Sequence, residues 1–250
     1  MIKKLLYSIA ALIKLSLKLN NPLVMINYLF QRSVRLNFKN GLILKTNQIL
    51  DAVMIKEIII DDDYQISAIR QPMKTIIDIG AGLGEFAITV AKKFPQAEII
   101  AFEPNPDQFK LLKENIFLNK VKNVKIFNLA IGTKKSYNLY LSAFNVHSSI
   151  FKNKRSNMKI KVIGKNLNEF IRSPIDLLKI DCEGAEIDIL ESISKNKMGL
   201  IKRIIIEYHN NIIKNEDKKI LAILNNWQYK IIIKKNILIP STGLIFAENK

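Results

Sequence analysis

The fold of this chain is decided by the stretch TIIDIGAGLGEF, Thr75 to Phe86. Thr75 to Ile79 is a short β-branched run, which is typical of a parallel strand covered on both faces. Three of the nine glycines follow within five residues, and glycine allows positive φ and a close backbone approach to a ligand. Phe86 to Phe94 continues with apolar residues four apart, as a helix does. The stretch therefore predicts a strand, a glycine turn and a helix whose first N–H groups meet a ligand.

The glycine spacing indicates which ligand binds at this turn. The dinucleotide fingerprint is G-x-G-x-x-G, whereas the third glycine here comes one residue early. Asp78 also ends the strand, where it would repel a pyrophosphate but tolerate an amino group and a sulfonium cation. The pattern favours S-adenosylmethionine over NAD; the plain alternative is a turn that only connects strand and helix. The predicted cofactor-binding residues of this stretch are Asp78, Gly80, Ala81, Gly82, Gly84, Glu85 and Phe86.

A second signal comes from the next apolar strand, Glu98 to Glu103, whose last acid follows Gly84 by nineteen residues. Nucleotide-binding α/β folds place an acid at about this distance, about 20 residues on, to bind ribose hydroxyls. A carboxylate accepts hydrogen bonds from both hydroxyls of a diol. We expect Glu103, Pro104 and Asn105 to contact the cofactor, and Ala130, at the end of a third strand, to lie beside the adenine. A solvated acid at a strand end is the alternative for Glu103 alone.

Composition limits the classes of protein. The 250 residues are 48% hydrophobic, enough for a large core, and 39 Lys and Arg against 22 Asp and Glu give a net charge of +17. This excess suggests an anionic partner, or only the composition of an AT-biased genome. Because the basic residues are dispersed without an Arg-rich aromatic patch, we do not expect nucleic acid. Cys182 is the single cysteine, which fits the cytoplasm and excludes an intrachain disulfide, and no close His or Cys spacing predicts a metal.

The segment from Lys3 to Leu19 has the pattern of an amphipathic helix. Its lysines share one side, and its uninterrupted apolar run, Leu5 to Ile13, is too short to span a bilayer. Two interpretations remain open: the helix docks on the rest of the chain, or residues 3–19 lie on a membrane with their lysines toward anionic lipid. The expected location is therefore cytoplasmic, either free or peripheral to the inner face of the membrane.

Strands and helices alternate from residue 75 onward. We predict an α/β fold, a doubly wound sheet formed by residues 71–250, preceded by an extension of mainly helical character over residues 1–70. The predicted strands are Thr75–Ile79, Glu98–Glu103, Val124–Ile131, Leu177–Ile180, one from Arg203, and a terminal pair at Tyr229–Lys234 and Leu244–Ala247. The predicted helices of this domain are Glu85–Phe94, Pro106–Asn119, Ala185–Ile193 and Asn211–Asn225.

Acidic residues crowd around Gly184, after the strand Leu177 to Ile180. Neighbouring carboxylates raise one another's pKa, which suits acid or base catalysis. We predict Asp181 and Glu183 as catalytic residues; the alternative is that acids here only stabilise a helix N-terminus. His209 ends the next strand and is a candidate general base, because the ordinary pKa of histidine lies near neutrality. His147 is a second candidate, or an exposed loop histidine.

These motifs together resemble the FkbM family of S-adenosylmethionine-dependent methyltransferases. The resemblance rests on DIGAGLGEFA at 78–87, AFEPNP at 101–106, LAIG at 129–132, HSSI at 147–150, DLLKIDCEGAE at 176–186 and IEYHN at 206–210. It implies a class I methyltransferase fold with a Rossmann-like sheet and O-methylation of a hydroxyl, often on a sugar or polyketide-like product. It also implies that Gly80, Gly82 and Glu103 hold the cofactor, with Asp181 and Glu183 beside the methyl-transfer face.

The function expected is therefore methylation of a saccharide, glycolipid or related small molecule. Two alternatives stay open. One is an RNA methyltransferase that uses the basic surface, although the Asn/Asp-Pro-Pro-aromatic motif of amino-methylating enzymes is absent. The other is a non-catalytic adenosyl-nucleotide-binding scaffold that associates with membranes.

Overall fold

The computed structural model describes residues 2–30, 33–48, 51–142, 148–150, 156–237 and 239–249. Its α-helices are α1 Ile2–Leu17, α2 Asp51–Ile55, α3 Glu85–Lys93, α4 Pro106–Asn119, α5 Glu186–Ser192, α6 Lys195–Met198 and α7 Glu216–Asn226. Its strands are β1 Val34–Asn37, β2 Ile43–Thr46, β3 Thr75–Ile79, β4 Glu98–Phe102, β5 Val124–Phe127, β6 Ala130–Ile131, β7 Ser136–Ser142, β8 Ser148–Ser149, β9 Ser156–Lys165, β10 Leu177–Ile180, β11 Arg203–His209, β12 Lys230–Lys235 and β13 Thr242–Glu248.

The main sheet confirms the predicted doubly wound α/β fold. Within the described residues, seven strands lie in the order β12-β13-β11-β10-β3-β4-β5. The strands from β11 to β5 run parallel, and β13 runs antiparallel to both of its neighbours. All residues of β3 and β10 are buried, as expected for a parallel sheet covered on both faces.

Two hydrophobic clusters cover the two faces of this sheet. Ile77 of β3 belongs to a cluster with Ile189 of α5 and Ile220 of α7. Its neighbour Ile76 belongs to the other cluster, with Phe86 of α3. Successive strand residues point to opposite faces, so the β-branched run of β3 supplies both clusters.

The predicted strand Val124–Ile131 is wrong as a single element. Residues 124–127 form β5 of the main sheet, whereas β6 pairs with β9 in a smaller sheet of order β6-β9-β7-β8. The side-chain amide of Asn128 donates to the carbonyls of Glu103 (2.8 Å) and Pro104 (3.0 Å). These bonds hold Asn128 against the end of β4. The chain then leaves the main sheet and continues as β6.

The described part of residues 1–70 packs on the sheet domain. Ala11, Leu15 and Leu19 are buried, and Leu15 and Leu19 share a cluster with Leu83 and Ile88 at the glycine turn. Strands β1 and β2 pair antiparallel as a hairpin. Helix α2 is followed by a π-helical turn, Lys56–Ile60. The domain boundary at residue 70 stays a prediction. No described helix is long and apolar enough to cross a membrane.

Candidate active site

The glycine turn joins β3 to α3 directly beneath the end of β10. Gly80 has φ +78°, and a Cβ on it would lie 1.8 Å from the backbone oxygen of Asp181. Only glycine fits there, since a side chain would displace β10. The N–H groups of Gly80 and Ala81 donate to the carbonyl of Phe102 (3.0 and 2.9 Å). The turn therefore uses these two N–H groups to attach itself to β4, and neither is available to a ligand.

Glu103 braces the same turn from the end of β4. Its Oε2 accepts from the N–H of Gly82 and its Oε1 from the N–H of Asn105, both at 2.8 Å. Burial raises the pKa of Glu103 to about 7, although the two N–H donors act in the opposite direction. Each carboxylate oxygen has a second lone pair, so Glu103 retains acceptor capacity.

A cleft that is open to solvent lies over the turn. Seven predicted site residues line it: Gly80, Gly82, Glu103, Pro104, Ala130, Asp181 and Glu183. Leu129 and Ile131 extend its apolar wall, and Asp51 and Met54 of α2 contribute another part. The cleft fits an adenosyl cofactor, because it combines bare glycine backbone, an apolar wall and a buried carboxylate acceptor.

Other predicted cofactor residues lie outside the cleft lining. They are Asp78, Ala81, Gly84, Glu85, Phe86 and Asn105. Phe86 is buried in the core cluster beneath the turn, and Asn105 caps α4 by accepting from the N–H of Asp107 (3.0 Å). Burial raises the pKa of Glu85 to about 8. These side chains shape the turn rather than the cavity.

Asp78 faces a lysine that sequence reasoning missed. Its Oδ1 lies 3.1 Å from Nζ of Lys179, which also donates to the carbonyl of Gly80 (2.6 Å). Both side chains are almost fully buried. Burial lowers the pKa of Lys179, but the carboxylates of Asp78 and Asp181 outweigh it and raise that pKa above the ordinary range. Asp78 therefore neutralises a buried cation, and its contact with the cofactor stays a prediction. The sequence signal for this ion pair was one lysine inside the apolar run LLKI.

Tyr64 and Glu207 were also missed, and both meet Asp181. The Tyr64 hydroxyl lies 3.2 Å from Asp181 Oδ2 and 3.2 Å from Glu207 Oε2. Ile206 pairs in register with Ile180, so the following residues, Glu207 and Asp181, emerge side by side. Burial, followed by the charge of Asp181, raises the pKa of Glu207 to about 8. The sequence signal for Glu207 was its position as an acid directly after the apolar run Ile204–Ile206. That run lies in β11, a strand that ends at the same sheet edge as β10.

His209 lies behind these acids. Its Nδ1 is 3.3 Å from Glu186 Oε1, and its Nε2 is 3.9 Å from Glu183 and 4.0 Å from Asp181. Burial lowers the pKa of His209, but the hydrogen bond to Glu186 and the surrounding carboxylates raise it well above the ordinary value. A histidine that holds its proton near neutral pH has no lone pair to offer. This charge state would make His209 a poor proton acceptor, and its role as general base stays a prediction.

Glu186 fixes the turn that carries the catalytic candidates. It accepts from the N–H groups of Cys182 (2.9 Å) and Gly184 (2.8 Å). Glu183 adopts φ +50°, and its carbonyl accepts from the Ser149 hydroxyl (2.6 Å). Asp181 and Glu183 are thus held at the cleft by a rigid loop. His147 lies outside the described residues.

The donor atoms of Asp181, Glu186 and His209 lie within 4.8 Å of one another. A metal would compete with the proton of His209 and with both backbone donors to Glu186. The arrangement is better explained as an ion-pair network, and the expectation that no metal binds stays a prediction.

A main sheet of this order, with β13 antiparallel and a cleft above the glycine turn, is the architecture of class I S-adenosylmethionine-dependent methyltransferases. The chain belongs to the FkbM methyltransferase family: the model of the methyltransferase FkbM domain matches residues 78–231. The cofactor is S-adenosylmethionine. The family resemblance, the fold class and the cofactor predicted from the sequence are thereby confirmed.

Individual relatives agree with this assignment. The chain is 26% identical over 178 residues to Methyltransferase 1 of Beauveria bassiana, covering 61% of this chain and 71% of that protein. A shorter match, 47% identical over 60 residues, relates 24% of this chain to 12% of the tRNA (guanine(37)-N(1))-methyltransferase of Saccharomyces cerevisiae. The crystal structure of Methyltransferase FkbM from Methylobacillus flagellatus KT shares the fold with a TM-score of 0.50 and 12% identity, over 96% of this chain and 58% of that one.

Proposed function

We propose that this chain methylates a hydroxyl of a saccharide, glycolipid or related small molecule, with Asp181 as the general base. The observation that carries the proposal is the position of Asp181. It lines the cleft over the glycine turn and also contacts Tyr64, beside Glu207. At this position the Asp181 carboxylate would lie beside the bound cofactor, where it could take the proton of the substrate hydroxyl.

The cofactor-binding roles follow from the cleft. Gly80 and Gly82 would hold the cofactor along their backbone, and Glu103 would accept from the ribose hydroxyls. The apolar wall near Ala130 would cover the adenine. When bound, the cofactor supplies a methyl group that its positively charged sulfur already activates.

The remaining task of the protein is to align the acceptor oxygen, exclude water and take one proton. Asp181 would accept that proton. Near neutral pH, Glu207 with a pKa of about 8 and the Tyr64 phenol, whose pKa burial also raises, keep their protons, and the hydrogen bonds of the Tyr64 hydroxyl would position Asp181. His209 acts as a positioning residue, because its charge holds Asp181 and Glu183 in place.

The charge of the cleft supports an uncharged acceptor rather than RNA. Asp51, Asp181 and Glu183 all line it, and a phosphate backbone would approach these carboxylates at an unfavourable distance. A polyhydroxylated molecule can donate hydrogen bonds to the same groups. The partial similarity to a tRNA methyltransferase keeps RNA as an alternative to be tested.

The test compares Asp181→Asn with wild type. We expect turnover on hydroxyl acceptors to fall roughly 10²-fold or more, the usual contribution of a general base, while calorimetric affinity for S-adenosylhomocysteine changes little. Asp63→Asn, in the loop that pairs with Lys234 on the surface, is the matched control and should leave both quantities unchanged.

Other outcomes would contradict the proposal. Unchanged turnover in Asp181→Asn would remove its role as base. Methylation of a tRNA transcript with steep salt dependence, and none of glycan acceptors, would establish the RNA alternative. Cofactor binding without transfer to any acceptor would favour the scaffold.

A further inference from the structure

The first fifty residues have a charge pattern of their own. They contain eight Lys or Arg and no Asp or Glu. Helix α1 begins this segment. It has two apolar faces, of which one is buried and the other is exposed. Ala11 and Leu15 are fully buried against the domain, whereas Ile13 and Leu17 are 57% and 65% exposed. Docking on the domain explains the first face and leaves the second without a partner among the described residues.

The exposed face continues along the chain. Ile9, Ile13 and Leu17 are spaced by four, and therefore share one side of α1. The next segment, the 3₁₀ helix Pro22–Phe30, adds Leu23 (78% exposed) and Ile26 (52% exposed). We call these five residues the apolar strip. Single exposed aliphatic side chains are ordinary, but a group of five in one short segment marks an interaction surface.

Basic side chains border the apolar strip. Lys14 on α1 and Lys18 directly after it are exposed. Lys39 is exposed beside them, since its N–H donates to the carbonyl of Lys18 (2.9 Å). Arg35, also exposed, lies next to the start of the 3₁₀ helix, where its carbonyl accepts from the Asn21 side chain (2.8 Å). Asp61, 3.6 Å from Lys14, offsets only one of these charges.

We propose that the apolar strip docks on a bilayer surface that contains anionic lipid. The aliphatic side chains would enter the boundary between headgroups and acyl chains, and the basic border would meet lipid phosphates. The buried face of α1 already fixes the helix to the domain, so docking requires no refolding. A second copy of the chain is a poorer occupant, because a twofold contact would bring two basic borders together. The inference does not depend on methyl transfer.

Vesicle sedimentation of the full chain tests the proposal. We expect binding to vesicles of phosphatidylcholine with phosphatidylglycerol and much weaker binding to phosphatidylcholine alone. Ile13→Ser/Leu17→Ser should weaken binding to the mixed vesicles at least about tenfold, because two aliphatic side chains that would be buried in the bilayer are lost. Lys18→Gln/Lys39→Gln should weaken it roughly fivefold for each lysine.

The control is Ile163→Ser/Ile232→Ser, which removes two aliphatic side chains of similar exposure, 62% and 60%, from strands β9 and β12. This variant should bind vesicles like wild type. All these side chains are exposed, so the variants should fold. The proposal is overturned if wild type binds neither vesicle, or if the strip variant binds like wild type. A dimer in sedimentation that the strip variant abolishes, without vesicle binding, would assign the surface to a second copy.

Discussion

Glycine is required at Gly80 and at Gly41 for different reasons: the backbone conformation at both, and a close backbone contact at Gly80 alone. Both have left-handed φ, +78° and +81°, but a Cβ on Gly41 would meet nothing within 4 Å. We predict that Gly41→Ala costs about 1–2 kcal/mol for the backbone alone. Gly80→Ala should cost about 3 kcal/mol more, because its Cβ would displace the end of β10. Urea denaturation of the two variants measures the difference. Equal losses would show that the contact with Asp181 does not matter.

Sequence patterns predicted residues that are identified by their spacing from near neighbours in the chain. They missed residues whose partners are distant in the chain. Gly80 and Glu103 were found because their spacing along the chain carries the information. Lys179 and Tyr64 were not, since their partners lie far away in sequence: Tyr64 is 117 residues from Asp181. Only strand register brings such groups together.

The pairing of β3 with β10 places Lys179 directly opposite Asp78. We predict that Lys179→Met destabilises the protein by about 3–5 kcal/mol, because a buried carboxylate loses its cation. Lys202→Met is the matched control: its ion pair with Asp176 is largely exposed on the lysine side, so the expected cost is about 0–1 kcal/mol. Thermal unfolding compares them.

The double variant Asp78→Asn/Lys179→Met should recover much of the lost stability, because both charges of the buried pair are removed together. If the single Lys179→Met variant proves as stable as Lys202→Met, the ion pair is not a structural requirement.

Strands and helices with clear periodicity were predicted at nearly their observed bounds; Thr75–Ile79, Pro106–Asn119 and Leu177–Ile180 match. The division between β5 and β6 could not be predicted, because it depends on Asn128 bonding to the distant end of β4. Helix α7 begins five residues later than expected, at Glu216, whose side chain accepts from the His209 N–H (2.5 Å). In both cases a tertiary hydrogen bond overrides the local pattern.

The whole molecule should lose stability as pH rises through neutrality. Burial raises the pKa of four acids: Glu103 to about 7, and Glu85, Glu207 and Glu216 to about 8. In the unfolded chain these groups ionise near pH 4.3, so between these values the folded state binds more protons. The free energy of unfolding therefore falls with rising pH in this window.

We predict a loss of at least about 2 kcal/mol between roughly pH 5 and pH 8 in the protein without cofactor. Chemical denaturation across this range measures it. Glu207→Gln should reduce the slope, because one of the four groups no longer titrates. Stability that is constant or rises over the range would show that these acids are ionised in the folded protein.

The position of β3 inside the main sheet, between β10 and β4, also bears on how the protein is synthesised. One neighbour, β4, follows within twenty-five residues, but the other, β10, is translated about a hundred residues later. Until then β3 has an unpaired edge, and nothing neutralises Asp78. A chain that stops before β10 would therefore be an aggregation-prone intermediate rather than a partly active enzyme. We therefore expect truncated forms that lack β10 to depend on chaperones or to be degraded.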